Sequence, residues 1–230
     1  MSIKENINEI QKKIDAASAL CDRQEKVTLM AVTKMHTSVE ILEALENGIE
    51  VIGENKAQEL LQKYPDIQGK CKIHFIGHLQ TNKVKSIIDK VDCIQSVDSY
   101  KLAAEINKCS ANIGKVTDIL IEVNIGEEDS KFGVKEEEVS SFIDSLKDLK
   151  SINICGLMCV LPIYASEGEE KNILFERMWN LFIDIKQKKY DNININTLSM
   201  GMSGDYECAI AHGANLVRVG TSIFGARNYN

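Results

Sequence analysis

The sequence lacks the features that mark membrane, secreted, nucleic-acid-binding and metal-binding proteins. Its longest nearly apolar stretch, Gly156–Ile163, is far below the roughly 18 residues of a membrane span, and no apolar signal core follows Met1. The 27 basic residues form no long cluster and are outnumbered by 34 acidic residues, which disfavours nucleic acid as a partner. Seven cysteines form no CxxC pair, and four histidines form no HExxH motif. We therefore expect a cytoplasmic protein with reduced thiols and no metal site, in contact with neither membrane nor nucleic acid.

Linker sequences are also scarce. Only two prolines occur in 230 residues, and no Pro-, Gly- or Ser-rich segment divides the chain. The composition, 44% hydrophobic and 27% charged, is ordinary for a globular protein. We expect one domain over residues 1–230.

What the chain does contain is a regular alternation of strand-like and helix-like segments. Ser2 and Glu5 form a capping box before an amphipathic helix. The β-rich runs that follow are Leu29–Thr33, Val51–Gly53, Lys72–Ile76, Cys93–Val97, Asp118–Asn124, Ile154–Val160, Thr197–Met200 and Leu216–Val219. Helical patterns between them include Leu79–Val91, Glu136–Leu149 and Lys171–Lys188. By alternation Cys155 and Cys159 share one face of their strand, and we expect both in the core.

This alternation predicts the α/β class and a single closed (β/α)8 TIM-type barrel with an extra N-terminal helix. An open doubly wound sheet is the alternative, but the GxGxxG fingerprint expected after its first strand is absent. Chemistry in a barrel lies at the carboxyl ends of the strands. Candidate site residues are therefore sought there.

The first predicted strand leads to Lys34. A lysine at the barrel mouth, with apolar residues behind it, is partly desolvated, and its neutral amine is available as a nucleophile. An ordinary solvated lysine is the alternative.

The strongest local signal is SMGMSGDYE and the sequence after it. Ser203 takes a predicted N-cap position before a helix from Asp205 to His212. Gly220 with Thr221 repeats this combination of a glycine and a hydroxyl residue at a helix start after the next strand. Backbone N–H groups at such turns suit phosphate, and barrels commonly bind it after strands seven and eight. An ordinary capped helix is the alternative, which the carboxylate of Asp205 favours.

Other strand ends add polar and soft side chains. Arg218 alternates with Val217 and Val219, so it points into the barrel, where it needs a carboxylate of the protein or a ligand atom as acceptor. Asn55 and His74 lie at two further strands, although a hydrogen-bonded interior position also suits His74. No catalytic residue is assigned. The candidate ligand-binding residues are Lys34, Asn55, His74, Met200, Ser203, Arg218, Gly220 and Thr221.

Taken in order, the motifs resemble the pyridoxal phosphate homeostasis protein family, whose members resemble the barrel domain of alanine racemase. The resemblance runs from about Lys34 to Arg227, and its motifs are specific as an ordered set. They are AVTK at Lys34, GEN at Gly53–Asn55, HFIGHLQTNK at His74–Lys83, SKFG at Ser130–Gly133, GLM at Gly156–Met158, SMGMSGDYE, and VRVGTSIFGAR.

The resemblance implies that Lys34 carries pyridoxal 5′-phosphate as an internal aldimine. It also implies that Ser203 with neighbouring backbone, and Gly220 with Thr221, hold the phosphate, and that Arg218 faces the pyridine nitrogen. An arginine there disfavours protonation of that nitrogen and weakens the ring as an electron sink. The racemase's second, β-rich domain has no counterpart in the sequence. We therefore expect a monomeric carrier for vitamin B6 and amino-acid balance that hands the cofactor to apoenzymes, without efficient racemase activity.

Three rival functions remain open at this point. They are a pyridoxal phosphate-dependent, racemase-like enzyme with an unidentified amino-acid substrate, a lysine Schiff-base aldolase, and a regulatory binding module. The chain also departs from the family pattern at Lys56, where the family often has tyrosine. This second amine leaves a competing attachment site for the aldehyde open.

Overall fold

The computed structural model describes residues 2–21, 26–128, 131–162, 168–188 and 193–225. Three residues of the motifs above, Ser130, Ala226 and Arg227, lie outside these ranges.

Parallel strands close into a barrel in chain order, with β8 returning beside β1. The strands are β1 Thr28–Val32, β2 Val51–Glu54, β3 Lys72–Phe75, β4 Cys93–Val97, β5 Thr117–Val123, β6 Ile152–Cys159, β7 Ile193–Ser199 and β8 Leu216–Val219. The helices are α1 Ile3–Leu20, α2 Ser38–Glu46, α3 Ala57–Ile67, α4 Thr81–Ile87, α5 Tyr100–Asn112, α6 Val139–Ser145, α7 Glu169–Gln187, α8 Tyr206–Ala211 and α9 Thr221–Phe224, with a 3₁₀ turn at Glu136–Glu138. The predicted (β/α)8 barrel with its N-terminal helix is confirmed. Each predicted strand is present; β4 and β8 have the predicted bounds, and the other strands have shifted ends.

The N-terminal helix forms as its sequence predicts. The Ser2 hydroxyl accepts from the backbone N–H of Glu5, and the Glu5 carboxylate accepts from the Ser2 N–H. Ile7, Ile10 and Ile14 are buried on one face of the helix. This face packs against α8 and α9, so α1 covers the side of the barrel that carries β8.

Two layers of side chains fill the molecule. The larger core lies between the strands and the helices, and it includes Val217 and Val219. Inside the barrel are smaller apolar clusters, one built from Cys93, Leu120, Cys155 and Met158. Alternation along β8 thus turns Arg218 inward, as predicted, while its valine neighbours face the helices.

The predicted common face of Cys155 and Cys159 is wrong, although both are buried in the core. Cys155 belongs to the inner cluster, whereas Cys159 belongs to the core under the helices. The pairing of β6 with β7 shifts register between Ile154 and Gly156. Such a shift breaks the alternation of a strand, so residues on either side of it change faces.

All seven cysteines fall within the described ranges, and each is a free thiol. In those same ranges we find no helix with the length and apolar character needed to cross a bilayer.

Candidate functional site

The end of β1 forms a tight turn that carries Lys34. Ala31 pairs with Val219 of β8, and Val32 pairs with Gly53 of β2. This register places the Lys34 turn beside the ends of β2 and β8, which are followed by Asn55 and by Gly220 with Thr221. Met35 follows at φ 65°, a left-handed conformation that costs free energy in a residue other than glycine. The local backbone is therefore held in place by its surroundings.

A buried set of charged side chains from β2 and α3 supports this turn. The Thr33 hydroxyl donates to Glu54 Oε1 at 2.6 Å, and Lys63 Nζ donates to the same oxygen at 2.8 Å. Lys63 also donates to the backbone carbonyl of Thr33 at 2.7 Å, and Glu59 Oε2 accepts from the N–H of Met35 at 2.8 Å. The backbone on both sides of Lys34 is thereby bonded to one neighbouring strand–helix unit.

The sequence analysis missed this set, although one signal for it was present. Lys63 occupies the apolar face of α3 between Leu60 and Ile67, and all three side chains are buried. A lysine at such a position is rarely buried unless it is paired, so it pointed to an internal partner.

On the other side of the mouth, the loops after β7 and β8 meet through hydroxyl groups. The Ser203 hydroxyl accepts from the N–H of Gly220 at 3.3 Å, and the Thr221 hydroxyl lies 3.3 Å from the same oxygen. These bonds are long for their type, and a stronger acceptor can replace them. Three donors thus converge on one point at the carboxyl ends of adjacent strands.

The predicted helix-capping role of Ser203 is wrong. α8 begins at Tyr206, its N-cap is Asp205, and that residue makes no side-chain capping bond. The Asp205 carboxylate accepts instead from the N–H of Met202 at 2.5 Å, within the turn before the helix. Ser203 consequently faces the β8 loop rather than the start of its own helix.

The space at this cradle depends on two glycines. A Cβ added at Gly220 would lie 3.3 Å from Val32 Cβ, tighter than an ordinary contact. Gly201 has a φ of 90°, and an added Cβ would lie 2.6 Å from the Cβ of Ala209. Side chains at these positions would move the backbone that brings Ser203 to Gly220.

Arg218 is 3% exposed and lies inside the barrel. Its guanidinium donates to the Ser199 hydroxyl at 2.7 Å and to the Cys159 carbonyl at 2.6 Å. The sequence left two acceptors open for Arg218, a protein carboxylate or a ligand atom. Among the described residues, its guanidinium makes no hydrogen bond to a carboxylate. Burial lowers the pKa of Arg218, opposed by Cys159, Asp205 and Glu122, and a guanidinium keeps its charge through such shifts. It has more N–H donors than these two bonds use.

The chain of bonds continues from Arg218 across the barrel to His74. The Ser199 hydroxyl donates to Gln95 Oε1 at 2.7 Å, and Gln95 Nε2 donates to His74 Nδ1 at 2.9 Å. Burial lowers the pKa of His74 to about 4, so the ring is neutral at pH 7. This is the hydrogen-bonded interior position considered for His74. The ring also lines a cavity of ≈ 540 Å³ at the amino ends of the strands.

The structure does not bring Met200 into the same group. Its side chain is fully buried in the core between strands and helices. Direct cofactor contacts for Met200 and His74 stay predictions.

Asn55 and Lys56 line a cavity of ≈ 650 Å³ between α3 and α4. Asn55 Oδ1 is buried and has no partner within the described part of the chain. Lys56 is 71% exposed at its side chain, and its amine lies 3.4 Å from Glu59 Oε1. Asn55 therefore has a buried acceptor that is unused within the described residues, and Lys56 is a solvated amine on the rim of the cavity.

A further ionisable group, unassigned from sequence, lies at the end of β5. Burial raises the pKa of Glu122 to about 7, with a further increase from the nearby Asp98 and an opposing effect from Arg218. Strand alternation turns Glu122 inward, on the same face as Leu120 of the inner cluster. The mouth thus contains a carboxyl group that titrates near neutral pH.

Together these elements give a lysine on a supported turn, a cradle of neutral donors and a buried guanidinium at one end of the barrel. An amine can bond to an aldehyde, the cradle suits a phosphate, and a guanidinium donates to a ring nitrogen or an oxygen. The arrangement suits a phosphorylated aldehyde with a heteroaromatic ring.

Comparison with known proteins agrees with this geometry. The sequence matches the family described as "Alanine racemase, N-terminal domain" over residues 2–228. It is similar to the pyridoxal phosphate homeostasis proteins of Haemophilus influenzae, 38% identical with 100% of this chain and 98% of that protein covered, and of Aquifex aeolicus, 36% identical with 100% of each covered. Among solved structures, PipY of Synechococcus elongatus with PLP (pyridoxal 5′-phosphate) bound is 28% identical, with a TM-score of 0.83 over 97% of this chain and 100% of that one.

Proposed function

Because the chain belongs to the alanine racemase N-terminal domain family, and within it to the pyridoxal phosphate homeostasis proteins, we propose that it binds pyridoxal 5′-phosphate through Lys34 and serves intracellular vitamin B6 homeostasis. One observation carries the proposal. The Lys34 turn lies between Asn55, which has a buried acceptor with no partner in the described residues, and the cradle formed by Ser203, Gly220 and Thr221.

The residues present fit the group. Bound pyridoxal 5′-phosphate supplies an aldehyde that bonds reversibly to an amine, together with a phosphate dianion. The hydroxyls of Ser203 and Thr221 and the N–H of Gly220 hold the phosphate, since their present mutual bonds are long. Gly220 keeps the cradle open because a Cβ there would press on Val32. Asn55 binds a polar group of the ring.

Arg218 decides what the protein does with the ring. Its bonds to Ser199 and the Cys159 carbonyl fix the guanidinium, and its remaining donors would be available to the pyridine nitrogen of the bound group. A donor at that atom keeps it unprotonated, which disfavours removal of an amino-acid α-proton. The chain therefore holds and transfers its cofactor and does not turn over amino acids efficiently. In this proposal it is a cytoplasmic monomer, and its partners are apo forms of pyridoxal phosphate enzymes.

Borohydride reduction followed by peptide mapping tests the attachment. Purified protein loaded with pyridoxal 5′-phosphate should carry the pyridoxyl group on Lys34, and Lys34→Ala should lose both the label and the absorbance of the bound cofactor. Lys56→Ala is the matched control and should keep both. Labelling on Lys56, Lys83 or Lys131 in place of Lys34 would refute the assignment.

A transfer assay separates carrier from catalyst. Loaded protein should activate an apo pyridoxal phosphate enzyme faster than Lys34→Ala protein mixed with an equal amount of free cofactor. Rapid racemisation or transamination of a common amino acid by the wild type would overturn the carrier function and favour an enzyme.

A further inference from the structure

We propose that Lys63, Glu54 and Glu59 are positioning residues that hold the Lys34 turn in the geometry that the amine needs to bond to an aldehyde. The role rests on the proposed function of Lys34. None of the three touches the aldehyde in this assignment, so they act through the backbone on either side of the lysine.

The contacts of these three residues surround Lys34. Its preceding carbonyl, Thr33 O, accepts from Lys63 Nζ at 2.7 Å, and the N–H after it, on Met35, donates to Glu59 Oε2 at 2.8 Å. The Thr33 hydroxyl donates to Glu54 at 2.6 Å. Side chains therefore fix the backbone both before and after the reactive residue.

The backbone at Met35 needs this support. Met35 adopts a left-handed φ of 65°, which persists only where neighbouring groups impose it. The N–H of this residue is the one that Glu59 binds. Glu59 in turn lies 3.6 Å from Lys63, so the strained residue and the buried pair belong to one network.

The network of Thr33, Glu54 and Lys63 is rigid. Thr33 and Glu54 are fully buried, and Lys63 is 9% exposed. Lys63 and Glu54 pair at 2.8 Å, and a buried pair of this kind fixes geometry because any departure leaves a charge without its partner. Small displacements of a reacting group reduce its reactivity by large factors.

A similar lysine at the other end of the barrel provides a matched control. Lys115 donates to the backbone carbonyls of Ile88 and Val91, at the amino ends of the strands. Like Lys63 it donates hydrogen bonds from its amine to backbone carbonyls, but it does so far from the Lys34 turn. Lys115→Met therefore reports the effect of losing such hydrogen bonds without disturbing the site.

The test compares two ligands. Pyridoxal 5′-phosphate has the aldehyde, whereas pyridoxine 5′-phosphate has the ring and phosphate but an alcohol in its place. Glu59→Ala should weaken binding of the aldehyde about tenfold and slow borohydride-trapped labelling of Lys34, with pyridoxine 5′-phosphate affinity unchanged. The double variant Lys63→Met with Glu54→Gln leaves no unpaired charge. It should likewise bind pyridoxal 5′-phosphate more weakly and pyridoxine 5′-phosphate as well as the wild type does. Lys115→Met should change neither ligand's affinity.

Conservative replacement sharpens the readout. Glu59→Gln keeps an oxygen that can accept from the Met35 N–H, so it should restore most of the labelling rate lost in Glu59→Ala. Equal weakening of both ligands in the Glu59→Ala and double variants, or no effect on either, would overturn the positioning role. If wild-type Lys34 is not labelled at all, the proposed function fails instead, so the two failures are distinct.

Discussion

The two sides of the barrel mouth hold their backbones by different means. On the β1–β2 side, Glu54, Lys63 and Glu59 bind the Lys34 turn through charged side chains that are largely buried. On the β7–β8 side, Ser203, Gly220 and Thr221 meet through hydroxyl groups and a backbone N–H at 3.3 Å. One side is tightly bonded within itself, and the other offers weakly engaged donors.

The difference matches what each side binds under the proposed function. A covalent bond needs one amine in one geometry, and charged bonds on the backbone around it provide that rigidity. A phosphate needs donors that leave their present partners without a large loss, and long hydroxyl bonds meet that condition. Under the proposed function, the rigid side therefore suits the aldehyde end of the ligand, and the weakly bonded donors suit its phosphate end.

Arg218 is the buried charge of the β7–β8 side, and its loss should have the largest effect on stability. Arg218→Glu removes the bonds to Ser199 and Cys159 and turns a carboxylate toward a carbonyl oxygen. We expect a loss of about 3–5 kcal/mol in the free energy of unfolding. Urea titration measures it. Arg177→Gln, which removes a guanidinium with a partly exposed side chain from Glu127 and Glu136, should cost about 1 kcal/mol or less.

The same Arg218→Glu variant tests the ring contact. If circular dichroism shows a folded protein that still binds pyridoxal 5′-phosphate, a carboxylate in this place favours a protonated pyridine nitrogen, and the absorbance of the bound cofactor should change. An unchanged spectrum would mean that Arg218 does not face the ring and serves only Ser199 and Cys159.

The weakly bonded side should respond to loss of its hydroxyls in a way that depends on the ligand. Ser203→Ala and Thr221→Ala should each weaken pyridoxal 5′-phosphate about tenfold and leave unphosphorylated pyridoxal nearly unchanged, because charge-assisted bonds of about 1.5 kcal/mol act only on the phosphate. Competition by inorganic phosphate checks the wild type. Equal weakening of both ligands would indicate that these loops only support the fold.

A pH dependence of stability is expected from Glu122, which belongs to neither side. Its pKa rises from the ordinary 4.5 to about 7 in the folded protein, so the folded state binds this proton more tightly than the unfolded state. Its contribution to stability is present below about pH 4.5 and is lost as pH rises through 7. Glu122→Gln should therefore gain roughly 1–2 kcal/mol relative to wild type between pH 5 and pH 8, after allowance for partial exposure. A difference that is independent of pH, measured by thermal unfolding, would contradict this.

Much of the fold and part of the site follow from local pattern. The capping box at Ser2 and Glu5 predicts the start of α1, and alternation in β8 turns Arg218 inward. Lys34 at the end of β1 follows from barrel topology alone. Ser203 was assigned to the right loop but to the wrong partner, since its hydroxyl meets Gly220 on the next strand.

Local pattern is enough to derive the alternation of strands and helices, the class of barrel, and the strand ends at which the candidate residues lie, because these features depend on periodicity and turn chemistry within short segments. Which of those residues meet depends on tertiary packing. The register of β1 with β8 and β2 sets Lys34 among its neighbours, and the register shift in β6 separates Cys155 from Cys159. The buried partners of Lys63 are Thr33, directly after β1, and Glu54 of β2, which lie 30 and 9 positions away in the sequence. Contacts between distant segments depend on the packing and hydrogen-bond register of the closed barrel, and no local sequence pattern records them.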